Sequence, residues 1–257
     1  MPENRGRNLP YSVSQNFLTS SGLIHKLLRR SDLSSSDTVL EIGAGKGHIT
    51  RALAARVGRV IAYEIDPRFA ERLRGSLPGN VTLYVQDFLQ CRLPRQEYCV
   101  FANIPFSITT AIVRKLALGT NPPRAMWLIM EKGAARRLSG SPRHNVLSLL
   151  IAANYDLRIV HRFQREDFHP APRVDVVMLE FRRRKVCDVR PEEFPAFAFF
   201  VKHSFEHGLF SSCSLLTHRQ IRTALKREGL SQIEPGGEVR YIQWLCLFRC
   251  WRRYCRP

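Results

Sequence analysis

Short apolar runs alternate with segments of helical periodicity along most of the first 180 residues. Five apolar runs have the length and composition of strands, at residues 38–42, 60–63, 81–85, 99–102 and 125–130. The amphipathic segments between them predict helices at residues 22–30, 48–57, 67–77 and 109–118. Strands that alternate with helices in this way are typical of a doubly wound, mostly parallel sheet.

The pattern changes along the rest of the chain. Segments 156–163 and 175–181 predict a late antiparallel pair of strands. After the basic run at residues 182–185, the sequence predicts helices with basic faces, for example at 192–206 and 217–228. We therefore expect an α/β domain over residues 1–185 and a small all-α domain over residues 186–257.

The charge balance limits the class of partner. The chain has 257 residues, with 40 Lys and Arg against 22 Asp and Glu, a net charge of +18 and a pI near 10.3. This excess favours nucleic acid as a polyanionic partner, with a membrane surface as the competing interpretation. We expect no membrane association, because no apolar run approaches the roughly 20 residues of a membrane span and the N-terminus lacks the apolar core of a signal peptide.

The cysteines indicate a reducing compartment. There are seven, an odd number, and none forms a CxxC pair. This usage supports neither a disulfide framework nor a zinc site. We therefore expect no metal and a cytoplasmic location.

A glycine-rich turn follows the first predicted strand and opens a helix. Gly43, Gly45 and Gly47 have the spacing G-x-G-x-G, which differs from the dinucleotide fingerprint G-x-G-x-x-G. Gly47 also stands where a P-loop requires Ser or Thr. Glu41, just before the turn, disfavours a pyrophosphate and favours a cofactor with a cationic end. S-adenosylmethionine (SAM), which carries an ammonium and a sulfonium, fits this description.

Two further carboxylates end the next strands. Glu64 lies 21 positions after Gly43, where a carboxylate can accept both hydroxyls of a ribose. Asp87 follows the third strand and can accept a hydrogen bond from an adenine amino group. The alternative for each is a surface carboxylate or a helix N-cap. Asp66 precedes Pro67 and fits an N-cap better than a binding site.

The tetrapeptide Asn103-Ile104-Pro105-Phe106 ends the apolar run 99–102. Taken alone, it is typical of a turn, because Asn and Pro are common turn residues. Its position after three acidic strand ends, in a strongly basic chain, instead favours a reaction centre. An amide can orient a nucleophile, a proline fixes the backbone, and an aromatic ring can stack on a base.

The motifs together resemble one family, the ribosomal RNA adenine N6-methyltransferases. The matching stretches are SQNFLTS, EIGAGKGHIT, EID, QDF, NIPFSITT, FHPAPRVDVV and, in the tail, LLTHRQIRTALK. The small-subunit relatives usually have Leu at the position of Ile104. The compact length and the tail favour the branch that methylates 23S rRNA and confers resistance to macrolides, lincosamides and streptogramin B.

The resemblance implies a class I SAM-dependent methyltransferase sheet, Rossmann-like, with a C-terminal helical RNA-binding or accessory domain. It also implies the residues that hold the cofactor, namely Asn16, Leu18, Gly43, Glu64, Ile65, Asp87, Phe88 and Asn103. Glu64 would hold the ribose and Asp87 the adenine amino group, while Asn103 would bridge the cofactor and the target base. Phe106 and Phe168 would form two aromatic walls around the base, although Phe168 alone could be an ordinary buried Phe.

The same resemblance implies the reaction and the partner. The target adenine would leave its stack, and Asn103 with the Ile104 carbonyl would accept its N–H groups beside Pro105. The substrate would be 23S rRNA of an unassembled or nascent large subunit, methylated by a monomer once or twice, which would block drug binding to the ribosome. Two alternatives are a non-enzymatic nucleic-acid-binding protein on the same fold and a nicotinamide-dependent oxidoreductase.

Small basic clusters are spread along the chain and predict phosphate contacts with salt-sensitive affinity. They lie at Lys26, Arg29, Arg30, Arg114, Lys115, Arg136, Arg137, residues 182–185, Arg249, Arg252 and Arg253. Each cluster alone is more often a solvated face. The terminal stretch FRCWRRYCRP departs from the tails of the family, and its role stays open.

Overall fold

The computed structural model describes residues 16–234 and 236–254. Within these residues, seven strands form one mixed sheet and two short strands form a separate pair. The strands are β1 Phe17–Leu18, β2 Thr38–Ile42, β3 Arg59–Glu64, β4 Val81–Val85, β5 Cys99–Asn103, β6 Ala125–Glu131, β7 Tyr155–Arg162, β8 Phe168–His169 and β9 Val176–Arg183. The order across the large sheet is β4-β3-β2-β5-β6-β9-β7.

Helices cover the sheet and form the C-terminal region. They are α1 Ser21–Arg29, α2 His48–Ala54, α3 Pro67–Leu73, α4 Thr109–Ala117, α5 Lys132–Leu138, α6 Val146–Ala152, α7 Phe194–His207, α8 His218–Arg227 and α9 Tyr241–Tyr254. Short 3₁₀ turns occupy Phe88–Gln90, Phe106–Ile108, Arg165–Asp167 and Pro191–Glu193. Within the described part of the chain, no helix has the length and apolar character that crossing a membrane requires.

The predicted strands and helices are present, with ends that differ by a few residues. The largest difference concerns α3, which the sequence predicts to reach residue 77 and which ends at Leu73. Arg74 leaves the helix with ψ at 133°, and Gly75 follows in the left-handed region at φ 74°. The sequence pattern does not predict the helices α5 and α6, each of 7 residues.

Both faces of the large sheet are buried, which accounts for the near-continuous apolar runs of its strands. Along β5, Val100 and Ala102 pack into the core on one face, whereas Cys99 and Phe101 pack into the core on the other. The late antiparallel pair is confirmed, since β9 lies antiparallel between β6 and β7. The α/β fold class with a C-terminal helical region is thereby confirmed.

The C-terminal helices have a core of their own, built around Phe197, Phe200, Leu225 and Phe248. Leu149 of α6, which belongs to the sheet region, packs into the same core. The helices α7 to α9 are therefore attached through an apolar contact. The domain boundary near residue 185 stays a prediction.

The strand order places a crevice at one point of the sheet. From β2 the chain proceeds outward through β3 to β4, and it then returns to the other side of β2 with β5 and β6. The connections after β2 and β5 therefore lead to opposite sides of the sheet. In open α/β sheets, ligands bind at such a switch point, outside the carboxyl ends of the strands. Gly43 follows β2 and Asn103 ends β5 at this point.

Candidate active site

A cleft lies at the carboxyl ends of β2, β3 and β5, the edge at which open α/β sheets bind their ligands. The cleft is lined by Asn16, Phe17, Gly43, Gly45, Glu64, Ile65, Asn103, Ile104, Pro105 and Phe106. It therefore brings together residues predicted from four separate motifs.

The glycine turn forms one wall of the cleft, and its backbone requires glycine. Gly43, Gly45 and Gly47 have φ values of 77°, 52° and 76°, in the region that side chains rarely adopt. A Cβ on Gly45 would lie 2.7 Å from the Phe17 ring, and one on Gly47 would lie 2.5 Å from Leu73. The turn is thus packed tightly against these two side chains. A Cβ on Gly43 would come 4.0 Å from the Asn103 carbonyl oxygen, across the cleft.

Glu64 lies at the end of β3, and its carboxylate is held by backbone donors. The side chain is buried, with one oxygen accepting from the Gly45 N–H at 2.7 Å and the other from the Asp66 N–H at 2.8 Å. Both bonds fix the carboxylate at the floor of the cleft, next to the glycine turn. Asp66 itself accepts from the Arg68 N–H at 2.9 Å, so its interpretation as an N-cap is confirmed.

Glu41 lies below the glycine turn and outside the lining of the cleft. It is buried, and neither carboxylate oxygen has a hydrogen-bond partner among the described residues. Burial, with the nearby Glu64 carboxylate, raises the pKa of Glu41 to about 8. The carboxyl is therefore mostly protonated at pH 7. The charge of Glu41 does not explain the preference for a cationic cofactor that the sequence suggests.

Asn103 faces the glycine turn from the end of β5. Its Nδ2 donates to the main-chain oxygen of Asn16 at 2.7 Å. Because a carbonyl oxygen can only accept, the amide nitrogen must point toward Asn16. The side-chain oxygen of Asn103 is consequently left as an acceptor, and this contact explains why Asn16 and Asn103 belong to one site.

The segment after Asn103 is held rigidly by the backbone. The Ile104 N–H donates to the Ile129 carbonyl at 3.2 Å, and the Ile108 N–H donates to the Pro105 carbonyl at 3.2 Å. Pro105, at φ −59°, begins the 3₁₀ turn that contains Phe106. Within residues 16–234 and 236–254, no protein donor is paired with the Ile104 carbonyl oxygen. The half-buried Phe106 ring adds an apolar wall beside this acceptor.

Asp87 and Phe88 lie near the cleft but not in its lining. The Asp87 carboxylate accepts from the Leu89 N–H at 2.8 Å and caps the turn Phe88–Gln90. Phe88 is buried, with its ring 5.6 Å from the Tyr63 ring, edge to face. The N-cap alternative for Asp87 is thus realised, and its predicted adenine contact stays a prediction.

Leu18 and Phe168 are brought together, behind the cleft. They are opposite each other in the antiparallel pair of β1 and β8, and both are buried. The Phe168 ring packs on Phe163 with ring centres 5.1 Å apart. Both residues pack in the core instead of lining the cleft, and their predicted ligand contacts stay predictions.

The predicted cofactor-binding residues do not include Phe17 or Gly45, although Gly45 belongs to the predicted glycine turn. The Phe17 ring lines the cleft over Gly45, with Lys46 Nζ 5.1 Å from its centre. The two-residue strand β1 positions this ring. A strand of two residues is too short to show an alternation of apolar and polar side chains in the sequence. Within the described ranges, no group of three or more His, Cys, Asp and Glu side chains could hold a metal ion.

Comparison with known proteins gives a consistent family. A model of the family described as ribosomal RNA adenine dimethylase matches residues 6–252. An rRNA adenine N-6-methyltransferase from Bacillus licheniformis is 30% identical over 260 residues, covering 98% of this chain and 90% of that relative. Another, from Limosilactobacillus reuteri, is 32% identical over 248 residues, covering 95% of this chain and 97% of that relative.

Solved structures agree with the sequence relatives. The crystal structure of the 23S rRNA methyltransferase ErmE superposes with a TM-score of 0.79 at 30% identity, covering 92% of this chain and 99% of ErmE. A dimethyladenosine transferase from Plasmodium falciparum shares the fold, with a TM-score of 0.69 at 20% identity. The predicted resemblance is confirmed, and the chain belongs to the ribosomal RNA adenine dimethylase family, in which rRNA adenines are methylated from SAM.

Proposed function

We propose that this protein transfers a methyl group from SAM to the exocyclic N6 of one adenine in 23S rRNA, once or twice. The observation that carries this proposal is the orientation of Asn103. Its amide nitrogen is held by the Asn16 carbonyl at 2.7 Å, so its oxygen remains available as an acceptor inside the cleft. An acceptor in this position can bind one N–H of an adenine amino group and so direct the lone pair of that nitrogen toward the methyl group.

The cleft fits the methyl donor. Because Gly43 has no Cβ, the space between it and the main-chain carbonyl of Asn103 is open to the cofactor. The buried Glu64 carboxylate can accept from ribose hydroxyls, and the exposed side of Ile65 can lie against adenine. Asn16, with Leu18 behind it, would cover the methionine end, and Asp87 beside Phe88 would accept from the adenine amino group. When bound, SAM supplies the methyl group through its sulfonium centre.

The residues after β5 would prepare the nucleophile. The lone pair of an exocyclic amino group is delocalised into the adenine ring, which makes N6 a poor nucleophile. The side-chain oxygen of Asn103 and the Ile104 carbonyl oxygen can each accept one N6–H, which draws N6 toward tetrahedral geometry and localises its lone pair on nitrogen. As N6 bonds to the methyl carbon and the carbon–sulfur bond breaks, the same two oxygens would stabilise the positive charge on N6 until one of its protons passes to solvent. The site therefore needs positioned acceptors instead of a strong general base.

Phe106 would hold the target base once it has left its stack. Stacking on an aromatic side chain contributes roughly 1–3 kcal/mol per base, comparable with the few kcal/mol that unstacking costs. Pro105 fixes the turn from which the ring projects. Phe168 would serve as the second wall after a side-chain movement, since it is buried on Phe163 in this structure.

Exposed basic side chains border the cleft and would hold the RNA backbone. Helix α5 begins where β6 ends, next to the cleft, and presents Arg136 and Arg137 to solvent. The loop between β7 and β9 reaches the same edge of the sheet, with Arg165 and Arg173 exposed. None of these four forms an ion pair among the described residues. Charges left unpaired at a cleft edge are available to phosphates.

The C-terminal helices offer a second basic surface, which supports their role as an RNA-binding or accessory domain. One face of α8 and the end of α9 carry exposed cations, namely Arg219, Arg222, Lys226, Arg249 and Arg253. The exposed end of α9 also belongs to the terminal stretch whose role the sequence leaves open.

The 23S branch is favoured by the likeness to ErmE, at a TM-score of 0.79 and 30% identity. We infer that the substrate is the 23S rRNA of an unassembled or nascent large subunit, and that the enzyme acts as a cytoplasmic monomer. Methylation there would confer resistance to macrolides, lincosamides and streptogramin B by blocking drug binding. Expression in a sensitive bacterium should raise the inhibitory concentration of all three drug classes together.

The direct test is transfer of tritium from labelled SAM to unmodified rRNA. Purified 23S rRNA and 16S rRNA are offered separately, with Asn103→Ala as the inactive control. Incorporation into 23S rRNA alone is the expected result. Incorporation into 16S rRNA alone would place the protein in the small-subunit branch, and no incorporation by a folded protein would remove the proposed activity.

A further inference from the structure

The segment after Asp87 is a short turn that lacks the support of a regular element. The turn Phe88–Gln90 consists of one 3₁₀ turn, closed by the Cys91 N–H donating to the Phe88 carbonyl at 3.2 Å. It is capped at its start by Asp87. Backbone carbonyls at the end of such a turn have no partners within it. Something outside the turn must hold it in place if Asp87 is to meet a ligand in a defined position.

Lys115 provides that support from α4. Its Nζ donates to the Leu89 carbonyl at 2.9 Å and to the Cys91 carbonyl at 2.5 Å. The same ammonium group lies 5.3 Å from the centre of the Phe88 ring, within the range of a cation–π contact. One side chain thus contacts three of the four residues that follow Asp87. The sequence groups Lys115 with Arg114 as a cluster for phosphates, whereas the structure directs Lys115 inward.

Helix α4 is also the element that continues from the reaction segment. It begins at Thr109, directly after the turn Phe106–Ile108, and Ile112, Val113 and Leu116 bury its inner face. The ammonium group of Lys115 therefore links the segment that carries Asn103 and Phe106 to the segment that carries Asp87. Two walls of the site, which come from different strands, are thus linked by this cation in addition to the core that Phe88 and Ile104 share.

We propose that Lys115 is a positioning residue, which holds the Asp87–Cys91 segment in place for the adenine of SAM and connects it to the reaction segment. This inference rests on the proposed function, because it assigns the adenine amino group to Asp87. Lys115 is not among the residues that line the cleft. Its removal should therefore weaken cofactor binding more than it slows methyl transfer at saturating SAM.

The test measures cofactor binding by calorimetry, with two probes that differ at one group. S-adenosylhomocysteine carries the adenine amino group, and S-inosylhomocysteine carries an oxygen in its place. The variants are Lys115→Met, which keeps the apolar stem, and Lys115→Arg, which retains the charge. Arg114→Met is the matched control, because Arg114 is the exposed neighbour on the same helix.

Lys115→Met should bind S-adenosylhomocysteine about tenfold more weakly, the loss usual when a residue that orients a ligand-binding group is removed. Its loss for S-inosylhomocysteine should be much smaller, since that probe lacks the group that Asp87 accepts. Lys115→Arg should recover part of the affinity. Arg114→Met should match the wild type in binding both probes, since the contacts predicted for Arg114 are with RNA phosphates. In turnover, Lys115→Met should raise the KM for SAM while kcat stays within a few-fold of the wild type.

Equal binding by wild type and Lys115→Met would overturn the inference, as would equal losses for both probes. If Lys115→Met does not fold, Lys115→Arg replaces it in the same measurement. The guanidinium would lie in a shifted position, so the affinity of Lys115→Arg for S-adenosylhomocysteine should fall more than its affinity for S-inosylhomocysteine. A wild type that binds S-adenosylhomocysteine but methylates no rRNA would contradict the proposed function and leave the role of Lys115 intact. A wild type that binds neither probe would contradict both.

Discussion

Polar groups near the predicted site differ from those at the opposite edge of the sheet in whether they are paired with one another. At the amino edge, Arg124 pairs with Asp37 at 2.9 Å and with Asp32 at 3.2 Å, and Arg182 pairs with Asp32 and Glu180. At the carboxyl edge, the oxygen of Asn103 is left as an acceptor, and Arg136 and Arg137 project into solvent. Polar groups that are paired with one another hold strands in place. Groups that are oriented but not paired are available to a ligand.

This contrast predicts that equivalent substitutions at the two edges have different consequences. Changes at the carboxyl edge should reduce turnover and leave stability almost unaltered. Changes at the amino edge should reduce stability and leave turnover almost unaltered. Asn103 and Asn121 form a matched pair, because the Asn121 amide donates to the Pro94 carbonyl at 2.7 Å and the Gln96 carbonyl at 3.0 Å near the amino edge.

The largest effect is expected for Asn103→Ala. Loss of one positioned group that stabilises a transition state typically lowers kcat by about 10²–10³-fold. RNA binding and the melting temperature should change little, since the lost bond to Asn16 is a single one at a cleft edge. Steady-state kinetics with SAM and 23S rRNA measure this, and Asn121→Ala, with normal kcat and a lower melting temperature, is the control. Activity within a few-fold of the wild type in Asn103→Ala would show that the proposed N6 geometry is wrong.

Two substitutions of Phe106 distinguish a stacking role of the ring from a role for a hydroxyl group at this position. Phe106→Ala should lower kcat/KM by about 5- to 150-fold, which corresponds to the roughly 1–3 kcal/mol of one stacked base. Phe106→Tyr keeps the ring face and should stay close to the wild type. Equal activities of the two variants, measured on the same RNA, would remove the stacking role.

Arg124→Met tests the amino edge. The Arg124 side chain is about a third exposed, so its ion pairs with Asp32 and Asp37 are partly screened. We expect the free energy of unfolding to fall by about 1–2 kcal/mol, with kcat unchanged. Urea denaturation and turnover assays on the same preparation compare the two quantities. A loss of turnover without a loss of stability would reverse the assignment of the two edges.

Measured per pH unit, the smallest effect concerns Glu41. The carboxyl has a pKa near 4.5 when exposed and about 8 when buried in the folded protein. Between these values the folded protein keeps a proton that the unfolded chain releases. The free energy of unfolding should therefore fall as pH rises from 5 to 8, by about 1 kcal/mol per pH unit. Glu41→Gln should remove this slope in urea titrations, and an unchanged slope would show that Glu41 is not the group responsible.

The sequence is sufficient for the parts of the molecule that follow a local rule. Strands such as β5 are apolar runs because both faces of the sheet are covered, and the glycine turn is recognisable because its three left-handed residues are all glycine. Asn103 stands out by its position at the end of β5, and resemblance to the family adds Asn16; the structure joins the two by a hydrogen bond across 87 positions. Asn103 is therefore recognisable from its motif, whereas its partner Asn16 acquires a physical role only through this bond.

The remaining features depend on contacts between distant segments. The pairing of Phe17 with His169 and Leu18 with Phe168 joins strands of 2 residues, which leave no periodicity in the sequence. The sequence likewise does not show that, of the adjacent Arg114 and Lys115 on one helix, Lys115 points toward the Phe88–Cys91 segment. For Asp87, sequence identifies the carboxylate but cannot show that it caps its own turn.

Mass spectrometry of the RNA product tests the central claim most directly. Wild type and Asn103→Ala are each incubated with SAM and unmodified 23S rRNA, and the digested RNA is examined for the position and number of added methyl groups. We predict N6-methyladenine or N6,N6-dimethyladenine at a single adenine with the wild type, and at least about a hundredfold less methylation with Asn103→Ala over the same initial-rate incubation. Methylation by the wild type at an atom other than adenine N6, or equal methylation by both proteins, would contradict the claim.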